Sequence, residues 1–251
     1  MVPIYSTTQT ILLYRWDPVS GALSVNGATT LDAPDTDTIF MTIWDGGGID
    51  TYDFSNYSGH TSGIYVDLRP GGWTTFSPNQ LADLDGLTGD RFAAGNIANS
   101  LAWRLSNGET ANLIENVIGA DSDDRIIGND GANRIAGGGG ADTLTGLGGN
   151  DTYVFNTPLG ANNVDRITDF SVEDDTIELD NNVFGHLKEG FLEQAAFYAG
   201  SAAHDNSDRI IYDATTGAVY YDADGTGNTA AAQFATLGTG LAVTHLDFFI
   251  V

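Results

Sequence analysis

The sequence predicts an all-β protein: a parallel β-roll of nonapeptide repeats, flanked by β-sandwich-like strands. Two observations carry this. Four nine-residue units run back to back from Gly119 to Val154, reading GADSDDRII, GNDGANRIA, GGGGADTLT and GLGGNDTYV. On either side, short runs rich in β-branched and aromatic residues are bounded by Gly, Asn and Asp, the pattern of strands separated by turns.

Within the repeats, four positions keep their character without one insertion. Position 1 is Gly119, Gly128, Gly137 and Gly146; position 4 is Ser122, Gly131, Gly140 and Gly149. Position 6 is Asp124, Asn133, Asp142 and Asp151, and position 8 is Ile126, Ile135, Leu144 and Tyr153. This is the GGxGxDxUx pattern of parallel β-rolls. Positions 1 to 6 predict a tight loop, where glycine accepts φ > 0 and carbonyls turn toward a common centre. Positions 7 to 9 predict a short strand with position 8 facing inward. One coil takes two units, which stacks Asp124 over Asp142 on one edge and Asn133 over Asp151 on the other. Each pair, with loop carbonyls, makes an all-oxygen cage of about six ligands, the chemistry of Ca²⁺. The loop residues counted as ligands beside them are Ala120, Ser122, Asn129, Gly131, Gly137, Gly138, Gly140, Gly146, Leu147 and Gly149. A flexible Gly-rich linker needs composition only, and has no reason to hold an Asp or Asn two places before an apolar residue every nine positions.

Composition agrees with a cation-dependent fold. The 251 residues include 34 Asp+Glu against 9 Lys+Arg, for a formal net charge of −25. Such a chain repels nucleic acid and anionic membrane surfaces and attracts cations. Its clustered carboxylates oppose compaction without a counter-ion, which links folding to calcium. There is no cysteine, hence no disulfide or thiolate metal site. No N-terminal stretch has the order of a signal peptide, and no apolar run has the length of a membrane span. The expectation is an extracellular protein exported without a cleaved N-terminal signal and not inserted in a membrane.

Three segments are expected: 1–118 upstream of the roll, 119–180 the roll with its cap, and 181–251 a C-terminal β region. Upstream, strands are predicted at Ile11–Trp16, Thr38–Trp44, Thr51–Phe54 and Gly63–Arg69, with short helices at Pro78–Asp85 and Phe92–Leu101. The segment Asp45-Gly-Gly-Gly-Ile-Asp50-Thr-Tyr52 repeats the loop-then-strand logic, since Asp50 precedes Tyr52 by two; it reads as an isolated calcium half-site. Downstream, Val164–Phe170 and Glu173–Leu179 read as longer strands capping the solenoid. Phe184–Ala199 reads as helical in part. Arg209–Asp213, Ala218–Asp222, Ala232–Leu237 and Leu246–Val251 read as strands, with a hairpin turn at Asp213–Ala218. Asp222–Gly227 has the start of an EF-hand loop, but its ninth and twelfth positions fall on Ala230 and Gln233, so a polar turn is the better reading.

The repeats, the Trp44–Phe54 segment, Asp67-Leu-Arg-Pro-Gly-Gly-Trp73 and Leu113-Ile-Glu-Asn-Val-Ile-Gly119 together resemble the C-terminal domain of serralysin-type secreted metalloproteases. The resemblance covers roughly residues 10–251. It implies that Asp45, Gly47, Gly48 and Asp50 form the upstream site, and that Glu115 with the Leu113 carbonyl closes the first roll site. It also implies that Asp165 and Asp175 serve the far end; charge alone does not single them out from Asp169 or Asp174. Departures from the family pattern are Ala120 and Ser122 in the first unit, Leu147 in the fourth and the neutral Asn133, together with the missing acid in Gln9–Tyr14. The resemblance further implies that Leu246-Asp-Phe-Phe-Ile-Val251 accompanies an uncleaved signal read by a type I secretion apparatus.

Catalytic signatures are absent from the sequence. A serralysin zinc helix needs HExxHxxGxxH, whereas His60, His186, His204 and His245 are scattered. There is no nucleophile elbow, cysteine nucleophile or P-loop. Among so many acids, some pair always suits glycoside hydrolysis, so that pairing carries no signal. The expectation is a non-enzymatic calcium-binding module that folds on calcium and supports secretion. The alternatives are a fragment of a larger secreted hydrolase whose catalytic domain precedes it, or a polysaccharide-binding module using Trp73, Trp103 and Tyr65.

Overall fold

The computed structural model describes residues 11–34, 38–44, 47–58, 63–84, 91–101, 103–104, 110–111 and 113–251. Its strands in chain order are β1 (Leu13–Trp16), β2 (Leu23–Val25), β3 (Ala28–Leu31), β4 (Met41–Ile43), β5 (Thr51–Asp53), β6 (Tyr65–Asp67), β7 (Trp73–Thr74), β8 (Ile97–Asn99), β9 (Trp103–Arg104), β10 (Thr110–Ala111), β11 (Asn116–Ile118) and β12 (Arg125–Ile127). They continue as β13 (Arg134–Ala136), β14 (Thr143–Thr145), β15 (Thr152–Phe155), β16 (Asp165–Ile167), β17 (Thr176–Leu179), β18 (Gly190–Phe191), β19 (Phe197–Ala199), β20 (Ile210–Asp213), β21 (Ala218–Tyr221), β22 (Ala232–Thr236) and β23 (Phe248–Ile250). Among the described residues there is no α-helix, only three single 3₁₀ turns, and no helix long and apolar enough to cross a membrane.

The chain alternates between two sheets. From β11 to β17, odd-numbered strands join a ten-stranded sheet and even-numbered strands an eight-stranded sheet; β11 and β12 pair in parallel with β5 and β6, and each strand from β13 on with the strand two before it. This is the β-roll that the nonapeptide pattern requires. Position 8 faces inward as expected: Ile126, Ile135, Leu144 and Tyr153 have no exposed surface. Burying each such side chain contributes about 1.5–3 kcal/mol, enough to set the register of three-residue strands. The stack reaches beyond the repeats in the same register. In the ten-stranded sheet Tyr14, Tyr52, Val117, Ile135, Tyr153, Ile177 and Phe248 form one inward column. In the eight-stranded sheet Val66, Ile126, Leu144 and Ile167 form the other. One core spans Leu12 to Ile250, so the two sheets run through residues 118 and 180 without a break.

Each end is filled with aromatics. Trp16, Tyr52, Phe54, Tyr57 and Phe76 pack together upstream, with neighbouring ring centroids 5.1–6.2 Å apart. Phe155, Phe184, Tyr221 and Phe234 do so downstream.

Several expectations need correction. The predicted helix at Phe92–Leu101 holds the buried strand β8, which lies between β4 and β7. Its Asn99 accepts from Tyr52 Oη and donates to the Asp67 carbonyl, contacts from distant sequence that override local preference. The described part of Pro78–Asp85 holds a 3₁₀ turn, Pro78–Gln80, followed by β-bridges at Leu81 and Asp83. Phe184–Ala199 is not helical; it supplies β18, the 3₁₀ turn Gln194–Ala196 and β19. The segments 164–170 and 173–179 do not hold longer strands that cap the solenoid: β16 and β17 have three and four residues and continue it. The end is instead closed by β19–β22 on one sheet, and by β23 and β18 on the other. The hairpin at Asp213–Ala218 is present, with Gly217 at φ +81°. Asp222 Oδ1 accepts from Asp224 N and Gly225 N, making Asp222–Gly227 a polar turn.

Candidate metal centre

Each roll strand is preceded by a polar residue two places before its inward apolar one, where loop turns into strand. On the edge of the eight-stranded sheet these are Asp124, Asp142 and Asp165, all buried. Each carboxylate reaches to the coil before it. Asp124 Oδ1 accepts from Ile64 N at 2.8 Å, Asp142 Oδ1 from Asp124 N at 2.7 Å, and Asp165 Oδ1 from Asp142 N at 3.1 Å. On the edge of the ten-stranded sheet the column is Asp50, Glu115, Asn133, Asp151 and Asp175. Asp50 Oδ1 accepts from Leu12 N at 2.6 Å, Glu115 Oε2 from Asp50 N at 2.8 Å, Asp151 Oδ1 from Asn133 N at 2.8 Å, and Asp175 Oδ1 from Asp151 N at 3.0 Å. Asn133 bridges the gap by donating its Nδ2 to the Glu115 carbonyl at 3.0 Å.

These carboxylates are costly to ionise where they sit. Burial pushes Asp124 and Asp151 up to about 7. Asp142, Asp165 and Asp175 shift the same way, first through burial; for Asp142 the next cause is the neighbouring charge of Asp165. Asp142 Oδ2 is buried with no hydrogen-bond partner among the described residues. Burying an anionic oxygen without a partner is costly, and a proton or a cation is what offsets that cost.

The glycines make this possible. A Cβ at Gly137 would lie 2.1 Å from Asp142 Oδ2, and one at Gly146 would lie 2.0 Å from Asp151 Oδ2, because position 6 folds back over position 1. The four loops are not equivalent. In the third and fourth units positions 2 and 4 have positive φ, at Gly138 (+102°), Gly140 (+112°), Leu147 (+77°) and Gly149 (+109°). In the first two units Ala120, Ser122, Asn129 and Gly131 do not. Ala120 and Ser122 therefore sit in loops whose shape they tolerate, while Leu147 keeps the left-handed shape that glycine favours.

Other candidates fall as follows. Asp45 lies outside the described residues. Gly47 and Gly48 have φ of +111° and +152° and lead into the buried Asp50. Leu113 lies beside the second loop, 3.3 Å from where a Gly131 Cβ would stand. Asn129 uses its amide within the protein: Nδ2 donates to the Ile114 carbonyl at 2.8 Å, and Oδ1 accepts from Gly131 N and Asn133 Nδ2. Tyr65 and Trp73 are half-buried, and the side chain of Trp103 lies outside the described residues.

Sequence reasoning weighed Asp169 only as an alternative to Asp165 and Asp175, whereas its carboxylate accepts from Gly146 N, Leu147 N and Tyr153 Oη. It overlooked Asn163, which accepts from Gly140 N. Strict counting misleads here, because Asp142 to Asp165 is 23 residues and Asp151 to Asp175 is 24, not eighteen. The usable signal was the two-residue offset to the inward residue, kept at Asp165–Ile167, Asp175–Ile177 and Glu115–Val117. Elsewhere, ligand atoms of His204, Asp205 and Asp208 lie within 4.8 Å of one another, with the Asp208 carboxylate holding His204 N and Asp205 N.

A comparison with curated proteins gives no match. The family described as Peptidase M10 serralysin C terminal matches residues 17–250, which hold both carboxylate columns and every strand of the two sheets except β1. The chain belongs to the serralysin C-terminal family of the M10 peptidases.

Proposed function

We propose that this chain is a non-catalytic calcium-binding module of a secreted protein, one that folds when calcium is supplied. The unsatisfied, buried Asp142 Oδ2 at the centre of a carboxylate column is the observation that carries the reading. On one edge Asp124, Asp142 and Asp165 would hold ions; on the other Asp50, Glu115, Asn133, Asp151 and Asp175 would do so, with loop carbonyls completing the sets. Carboxylate and carbonyl oxygens are hard donors that suit Ca²⁺. Calcium supplies the positive charge that lets these carboxylates stay ionised inside a compact fold. The far end fits an export role. Phe248 and Ile250 are buried in β23, paired in parallel with β17, so these two residues of a signal in Leu246–Val251 would be readable only before the roll closes. Low calcium during export would keep it open, and external calcium would then close it.

Far-UV circular dichroism during a calcium titration tests this. The expected result is little β signal in chelator and a cooperative gain at ~10⁻⁴–10⁻³ M calcium, the range of extracellular sites. A complete β signal in excess chelator at neutral pH would reject it. Membership of the family favours a second reading within the first, that the module serves a secreted metalloprotease whose catalytic domain lies elsewhere in the parent protein. Secretion assays with and without Phe248–Ile250 would show whether this end is needed for export.

A further inference from the structure

On the outer face of the ten-stranded sheet, arginines are neutralised by acids of the same sheet: Arg15 bonds Asp53 on the neighbouring strand, and Arg134 bonds Glu178 across β15. The eight-stranded sheet is built differently. Tyr65, Arg125, Thr143, Arg166 and Thr236 form one register row across β6, β12, β14, β16 and β22. Arg125 and Arg166 are exposed. Among the described residues neither guanidinium has an acid or hydrogen-bond partner; Arg125 only lies over the Tyr65 ring, 6.0 Å from its centroid. The next row holds Asp67, Ile127 and Thr145, with Thr145 Oγ1 2.7 Å from Thr168 Oγ1. Its one acid, Asp67, is buried and clamped by both Nε and Nη2 of Arg69. Beside Tyr65 opens a hollow of about 420 Å³ walled by Tyr65, Arg69, Gly72 and Trp73. Trp73 is stacked on Phe40 with centroids 5.8 Å apart.

A chain of net charge −25 thus keeps two rows, from β6 to β22, in which the paired Asp67 is the one acid among the described residues, and which bear two unpaired arginines two strand spacings apart, roughly 9–10 Å. We propose that this strip binds an acidic polysaccharide, a run of uronic acid units laid across the strands with carboxylates on Arg125 and Arg166. Guanidinium matches carboxylate in a two-bond fork. Thr143, Thr145 and the Asp67–Arg69 pair suit sugar hydroxyls, and the Tyr65 and Trp73 rings supply apolar faces. Nucleic acid fits less well, because its affinity comes from many phosphate contacts and two arginines supply few. The repulsion of distant acids decays over about 8 Å at physiological salt, so contact at the strip decides. The inference does not rest on the calcium reading beyond needing folded protein.

The test is calorimetric binding of a galacturonic acid decamer to calcium-saturated protein. A neutral galactose decamer and a ten-nucleotide single-stranded DNA serve as comparators, and circular dichroism checks the fold of each variant. The acid decamer should bind, and the Arg125→Gln/Arg166→Gln double variant should bind it at least tenfold more weakly, while Arg134→Gln on the opposite sheet leaves binding unchanged. The proposal is overturned by no binding of the acid decamer, by equal binding of the neutral one, or by DNA binding as tightly. Parental affinity in the double variant would also overturn it, since calcium bridging between uronates and protein acids predicts that result.

Discussion

The two edges of the roll are made from the same nonapeptide, yet they handle charge differently. The edge of the eight-stranded sheet carries acids only, Asp124, Asp142 and Asp165, and Asp142 Oδ2 at its middle finds no partner among the described residues. The other edge has the neutral Asn133 at its middle, whose amide bonds the Glu115 carbonyl, Asn129 Oδ1 and Asn129 N within the protein. One difference of Asp against Asn thus separates an edge whose central carboxylate has an unsatisfied oxygen from one whose central side chain is satisfied within the protein. An amide supplies its own donor where a carboxylate must borrow a proton or an ion.

The comparison can be broken most severely at position 1. Gly137→Ala puts a methyl group against the Asp142 carboxylate, and should cost about 3 kcal/mol or more through overpacking. Gly160→Ala, with open space around its Cβ, should be close to silent. Thermal unfolding of both variants in saturating calcium checks this, and equal midpoints would contradict it.

Exchanging the two edge centres comes next. Asp142→Asn should weaken calcium binding on its edge at least tenfold, while making the metal-free form about 1–3 kcal/mol more stable by removing an unpaired buried charge. Asn133→Asp should do the reverse. Calorimetric stoichiometry with calcium, alongside denaturant unfolding in chelator, reads both directions. Variants that move the two quantities together would refute the charge account.

Acidity sharpens the same point. Asp124 and Asp151 have folded values near 7 against about 4 in an unfolded chain. The metal-free fold therefore holds protons that the unfolded chain has released. Its stability should be full below about pH 4 and fall as pH rises through about 7. In excess calcium the trend should reverse, because protons compete with the ion for the same oxygens. Denaturation midpoints between about pH 4 and 8, with and without chelator, measure both slopes.

The smallest effect belongs to the loops. Leu147→Gly relieves a left-handed residue at φ +77°, and should stabilise the protein by about 0.5–1 kcal/mol after the extra chain entropy of glycine is subtracted. The same change at Ala120, whose φ is not positive, should give no gain.

The roll was legible because its information is local. Ile126, Ile135, Leu144 and Tyr153 declare their inward direction at nine-residue spacing, and Asp124, Asn133, Asp142 and Asp151 stand at a constant offset from them. What lies outside 119–154 was harder, because intervals stretch to 23 and 24 residues and a count of nine loses the register. The family likeness supplied Asp165, Asp175 and Glu115 where charge alone did not. The helix expected at Phe92–Leu101 failed for a related reason: β8 exists because β4 and β7 flank it, and neither partner is near in sequence.

The sequence by itself determined the repeat, the coil of two units, the inward apolar columns and the acidic edges, since each follows from neighbours within a few residues. Only the tertiary structure decided where the stack begins and ends, which acids outside the repeats enter the columns, and that β23 closes the ten-stranded sheet. It alone also set Arg125 and Arg166 in one row while pairing Arg134 with Glu178. The physical reason is that strand pairing joins residues far apart in the chain, and its register follows from the burial of whole columns rather than from any short segment.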